Sequence, residues 1–211
     1  WEEKIDALLL KSDLRSMKCV HLSSHDHGGA GKAAYRLHKG LRKNGIPSSM
    51  LVMNKNSGDP SVCIFPSPDS THSPSYNAPA YESPIWPQQR RRWENELSQY
   101  PNRPSGLEIF TDALSDIQFG RIHELCEADI INLHWVAGTM DFLNAPMSLK
   151  DKRIVWTLHD MNPFTGGCHY SGGCEKYKEQ CGACPQLGSN DENDLSRQIW
   201  LQKNYAYKNL D

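Results

Sequence analysis

Four short apolar runs, each closing on a polar turn, constrain the fold of this chain more than any other feature. They are KCVHLS (Lys18–Ser23), SSMLVM (Ser48–Met53), DIINLH (Asp129–His134) and RIVWTLH (Arg153–His159). Each is too short for a buried helix and reads as a strand buried on both faces. Helical segments separate them. One starts near Ala30, with Ala33, Ala34, Leu37 and Leu41 on one side and Arg36, Lys39 and Lys43 on the other; a second is predicted over Asp116–Cys126. Strand–helix–strand alternation predicts an α/β fold with a parallel sheet covered on both faces. In such sheets ligands bind outside the carboxyl ends of the strands. Three polar motifs fall there: HDHGG at residues 25–29, HW at 134–135 and HDMNPFTGG at 159–167. Their common placement predicts one shared site.

The first of these motifs superficially resembles a phosphate loop. In SSHDHGGAGKAAYRL, counting back from Gly31-Lys32 puts Asp26 where a Walker A loop needs its first glycine. Ala33 stands where such a loop needs its Mg²⁺-binding hydroxyl. Gly28, Gly29 and Gly31 are also spaced wrongly for a dinucleotide-binding G-x-G-x-x-G. What remains is a strand, a glycine turn and a helix start whose unpaired N–H groups attract anions. The same residues equally fit a tight βα turn that holds no ligand.

With 23 basic and 25 acidic residues among 211, the formal net charge is −2, so no basic field marks the chain for nucleic acid. No apolar run reaches membrane-spanning length. The opening WEEKIDALLLKSDLRS is charged and amphipathic rather than leader-like, which points to a cytoplasmic protein. Residues 1–16, with Ile5, Leu8 and Leu9 at helical spacing, read as an extension ahead of a domain over 17–211. Residues 57–104 carry most of the 13 prolines and form an insertion in the α/β rhythm. Within it, Arg90, Arg91 and Arg92 lie between Trp86 and Trp93. This is either a solvated helix face with its tryptophans inward, or an edge for an anionic membrane surface or an acidic ligand.

Four of the seven cysteines crowd the segment 166–188: Cys168, Cys174, Cys181 and Cys184, spaced C-x5-C-x6-C-x2-C. Four thiolates in a loop-rich stretch suit tetrahedral Zn²⁺ with no open position, hence a structural metal, and His169 is an alternative ligand. Two disulfides, reduced thiols and an iron–sulfur cluster are the other readings. Cys19, Cys63 and Cys126 read as ordinary buried thiols.

The block VWTLHDMNPFTGGCHYSGGCEKYKEQCGACPQL, with ADIINLHWV and SHDHGGAGKAAYRLHKGL before it, resembles the N-terminal domain of bacterial family 4 glycosyltransferases. The subgroup it resembles acts in colanic-acid-type exopolysaccharide synthesis, and the likeness runs from about Met17 to Leu210. The resemblance implies a retaining hexosyltransferase of GT-B architecture, with a Rossmann-like, acceptor-side domain here. The donor domain would lie outside these 211 residues, leaving this chain inactive alone. Gly28 and Gly29, with His27, would face the donor diphosphate. His134, His159 and Asp160 match residues near the transferred sugar, where an imidazole hydrogen-bonds a hydroxyl or phosphate and Asp160 accepts from a hydroxyl or orients a histidine. His25, Asp26, Trp135, Phe164 and Thr165 would form the acceptor side. The implied substrates are a nucleotide-sugar and a glycan or lipid-linked glycan at the inner face of the plasma membrane, with no catalytic metal. A non-catalytic, zinc-stabilised glycan- or protein-binding module is the alternative.

Overall fold

A computed structural model describes residues 16–66 and 85–210, which form two compact units. The amphipathic pattern of residues 1–15 and the centre of the proline-rich insertion, residues 67–84, lie outside the described residues.

The first unit, with described residues 16–66, 120–135 and 151–157, is built on a five-stranded parallel sheet. Its strands are β1 (Cys19–His25), β2 (Ser48–Asn54), β3 (Val62–Ile64), β4 (Ile130–Leu133) and β5 (Arg153–Trp156), in the order β3-β2-β1-β4-β5. This is a Rossmann-like α/β arrangement. Central β1 pairs with β2 through Cys19↔Ser48 to His25↔Asn54, and with β4 through Cys19↔Ile130 to Leu22↔Leu133. The continuous apolar runs have the reason expected of them: Leu22, Met50, Leu51, Val52, Ile131 and Leu133 are fully enclosed. At the edge, β5 differs, since Arg153 and Val155 are exposed and Ile154 and Trp156 half-buried.

Helix α1 (Gly28–Lys43) packs on β1 and β2. It starts two residues before the predicted Ala30, because Gly28 takes φ 69° and turns the chain directly out of the strand. Its buried face is Gly31, Ala34 and His38 rather than Ala33 and Leu37, and Leu37 is 43 % exposed. Gly31 sets this rotation, since a Cβ there would lie 2.4 Å from the carbonyl oxygen of His25. The helix ends on Gly45 at φ 75°, with the Gly45 and Ile46 amides donating to Arg42 and Leu41 carbonyls.

Three other expectations are corrected. The helix predicted over Asp116–Cys126 is a 3-10 turn (Phe119–Arg121) followed by one helical turn, α3 (His123–Cys126). Ile117, Phe119, Ile122 and Leu125 are all buried, a spacing that no single helical face supplies. Strands β4 and β5 are shorter than predicted, so His134 follows β4 directly while His159 lies three residues past β5. The start of the proline-rich insertion carries β3, which pairs with β2 from Met50↔Val62 to Val52↔Ile64.

The second unit holds described residues 85–119, 136–150 and 158–210. It contains α2 (Trp86–Ser98), α4 (Ala145–Leu149), α5 (Leu195–Lys208) and two 3-10 turns, Asn162–Phe164 and Lys176–Lys178. Asp194 caps α5, accepting from the Ser196 and Arg197 amides at 2.9 and 3.3 Å. In α2, Arg92 pairs with Asp116 at 2.7 Å and Arg90 with Glu94 at 2.9 Å, while Trp93 stacks on Phe110. Among the described residues, no helix is long and apolar enough to cross a membrane.

Candidate functional site

In the first unit, the carboxyl ends of β1 and β4 bring His25, Asp26, His27 and Trp135 together. His25 stacks on Trp135 with ring centroids 5.8 Å apart and meets His27 at 4.9 Å. Trp135 is anchored through its carbonyl, which accepts from the Ser24 amide at 2.7 Å and the Ser24 hydroxyl at 3.0 Å. Asp26 is buried and accepts the Asn56 and Ser57 amides, both at 2.8 Å, clipping the segment after β2 to the β1 turn. Burial pushes its pKa up, but these hydrogen bonds outweigh burial and hold the carboxyl below its usual range. Next to it, His27 takes the N-cap position of α1 in extended conformation without a side-chain cap. A Cβ on Gly28 or Gly29 would meet nothing within 4 Å. The helix start is therefore an open, glycine-lined turn with positive backbone dipoles, a geometry suited to an anion.

Beneath this turn lies a buried imidazole network. His134 is only 3 % exposed, and its Nε2 faces His21 Nδ1 at 3.2 Å. On its other nitrogen, His21 meets the Cys19 sulfur at 3.6 Å. Trp156 Nε1 donates to the His134 carbonyl at 3.2 Å. His38, on the buried face of α1, bridges Ser48 and Ser61 hydroxyls, each at 2.8 Å. Burial, then repulsion from His134 and His38, pushes His21 down to about 3. Burial, opposed by Asp59, pushes His38 down to about 4. Both rings are therefore neutral at physiological pH.

The remaining candidates belong to the second unit. Asp160 Oδ2 meets His169 Nδ1 at 2.6 Å, and its Oδ1 accepts the Asn162 amide at 2.9 Å. His169 Nε2 lies 3.1 Å from the Thr111 hydroxyl, which Asn162 Nδ2 also approaches at 3.1 Å. With His169 protonated on Nδ1, the chain Asn162→Thr111→His169→Asp160 has a donor at every step. The histidine that Asp160 orients is thus His169, and both of its ring nitrogens are engaged away from the sulfurs. His159 is half-buried, and burial lowers its pKa against the opposing pull of Asp160. Phe164 packs on Tyr177 with centroids 5.5 Å apart. Thr165 donates its hydroxyl to the Cys168 carbonyl.

Cys168, Cys174, Cys181 and Cys184 all line one small cavity of about 20 Å³. All four are free thiols. Burial raises the pKa of Cys168, Cys181 and Cys184, that of Cys181 to about 11. Among the described residues, no three His, Cys, Asp or Glu side chains stand ready-gathered around a single ion position. Sequence reading missed the cation beside them. Lys203 is fully buried, and its ammonium donates to the Asn162 carbonyl at 2.6 Å and to the Asn162 side-chain and Thr165 carbonyl oxygens at 3.2 Å. Burial pulls its pKa down to about 7. Its signal in sequence was a lone lysine on the inner face of α5, in phase with Ile199 and Ala206.

Comparison with known proteins gives one short match. A stretch of 39 residues is 46 % identical to the putative colanic acid biosynthesis glycosyl transferase WcaC of Escherichia coli (strain K12). The matched stretch covers 18 % of this chain and 10 % of that protein. No family profile matches the chain, and no solved structure matches it significantly. The likeness is to a glycosyl transferase over a short part of the sequence, on a Rossmann-like α/β sheet.

Proposed function

We propose that this chain is the acceptor-side domain of a retaining glycosyltransferase of GT-B type, moving a sugar from a nucleotide-sugar to a growing cell-surface glycan. The observation that carries the reading is the 46 % identity to the colanic acid glycosyl transferase. Because the match spans a tenth of that protein, the activity, substrates and partners of the whole enzyme are all part of the proposal. The open turn at Gly28 and Gly29 supports it: α1 starts without a side-chain cap, and a Cβ on either glycine would meet nothing within 4 Å, which suits a donor diphosphate. Asp26 shapes that turn through its two amide bonds, His27 faces the same diphosphate, and His25 and Trp135 supply polar and stacking surface on the acceptor side. His134 serves as the imidazole near the transferred sugar, held by His21 from behind. For the second unit taken by itself, His159 and Asp160 are proposed as groups near the transferred sugar, with Asp160 acting through His169, and Phe164 and Thr165 as acceptor-side residues. A lipid-linked acceptor places the enzyme at the inner face of the plasma membrane.

The test is transfer by the full-length protein from UDP-, GDP- and dTDP-sugars to lipid-linked glycan acceptors. His134→Ala is expected to lower kcat by about 10²–10⁴-fold, the range for loss of a positioned acid–base group, with an unchanged circular dichroism spectrum. Unaltered transfer in that variant removes the role of His134. Failure of the full-length protein to bind any nucleotide-sugar removes the glycosyltransferase reading itself.

A further inference from the structure

We propose that the cavity walled by Cys168, Cys174, Cys181 and Cys184 is a structural zinc site, with the buried ammonium of Lys203 as its counter-charge. Three independent observations converge on it. The four sulfurs come from a span of 17 residues with little regular structure, yet all reach one cavity about the size of a single small ion or water. None is paired in a disulfide.

The second observation is the turn Cys181-Gly182-Ala183-Cys184, which carries two of the sulfurs. Gly182 and Ala183 both adopt positive φ, at 143° and 40°, which folds the two cysteines toward one side. The Cys184 amide is pinned by Asp194 at 2.8 Å and the Ala183 amide by the Asp191 carbonyl at 2.8 Å. No side chain larger than hydrogen fits at Gly166, where a Cβ would lie 2.9 Å from the Cβ of Cys181.

Lys203 is the third. A fully buried cation is costly without anions nearby, and its three hydrogen-bond acceptors are all neutral oxygens. Its acceptor Thr165 also hydrogen-bonds the Cys168 carbonyl and directly precedes Gly166, which lines the cavity, so the ammonium sits beside the cysteine segment. Zn²⁺ displaces a proton from each of the four thiols and leaves a doubly negative centre, which this ammonium partly offsets. Binding draws the sulfurs inward onto the ion.

Metal analysis and cobalt substitution on the purified protein test the site. About one zinc per chain is expected after purification in buffers without added metal. Replacement by Co²⁺ should give strong sulfur-to-metal charge-transfer absorption and the visible bands of tetrahedral four-sulfur coordination. Titration with an organomercurial should release the zinc in step with modification of four thiols. This measurement uses the unaltered chain and needs no cysteine variant. Lys203→Met should weaken zinc in chelator competition by about tenfold or more, as loss of a neighbouring charge predicts. Unchanged zinc affinity in Lys203→Met overturns the counter-charge assignment. Two disulfides among the four cysteines by mass spectrometry of the non-reduced protein overturn the metal site. So does a zinc-free native protein whose thiols react identically with and without added Zn²⁺.

Discussion

At the scale of single residues, the histidines divide into two kinds that the sequence does not distinguish. His25 and His27 sit at a strand end among polar groups, as their neighbours Asp26 and Gly28 suggest. His21 and His38 are wholly enclosed, and nothing in CVHLS or RLHKG marks them as core, because their partners come from distant segments: Cys19 and His134 for one, Ser48 and Ser61 for the other. Their pKa values predict an acid limit to stability. An unfolded histidine titrates near 6.5, whereas these two stay neutral down to about 3 and about 4. Between those limits the unfolded chain binds more protons, so the folding stability they contribute is full above pH 6.5 and is lost as pH falls. Each contributes a slope of up to about 1.4 kcal/mol per pH unit. Below pH 4, Asp59, held near 2 mainly by its Ser61 hydrogen bonds against the effect of burial, continues the same trend. Urea midpoints from pH 7 to 4 measure it, and a flat profile down to pH 4.5 contradicts the enclosure of these rings. His38→Ala is expected to cost about 2–4 kcal/mol in the same assay at pH 7, from two lost hydrogen bonds and a cavity.

At the scale of elements, strands were legible and helix faces were not. Runs such as MLV and IINL could only be buried strands, whereas the orientation of α1 depends on Gly31, a residue that hydrophobic periodicity does not count. The two glycines of that turn make a paired prediction. Gly31→Ala drives a Cβ into the His25 carbonyl and should cost about 2–4 kcal/mol as α1 shifts off β1. Gly29→Ala meets open space and should leave thermal stability unchanged or raise it by about 0.5 kcal/mol. Equal melting temperatures for the two variants would rule out this packing. For α5, Asp194 both caps the helix and holds the Cys184 amide. Asp194→Ala should therefore exceed the usual capping loss of about 1 kcal/mol, read from the chemical denaturation midpoint. The predicted Asp116–Cys126 helix failed because burial there follows tertiary demand, with Asp116 tied to Arg92 and Ser115 to the Ile117 amide.

At the scale of the whole molecule, the strand–helix rhythm indicated the α/β class, and the four crowded cysteines line one cavity. The edge strand β3 and the buried Lys203 were not legible, since a three-residue strand inside a proline-rich stretch and a lone lysine carry almost no pattern. If zinc fills the cysteine cavity, chelation should lower the melting temperature by about 5–10 °C, followed by differential scanning fluorimetry with metal re-addition as the control. The sheet order has a consequence for the time at which the chain can fold. Central β1 finds β2 soon after synthesis, but its other neighbour, β4, starts at Ile130, and the bond from the Lys18 amide to Asp129 spans 111 residues. While the ribosome makes the intervening segment, one flank of the central strand stays unpaired. Much of the vulnerability of this protein to aggregation therefore falls in the interval between translation of residue 54 and of residue 133, when a chaperone has the most to cover.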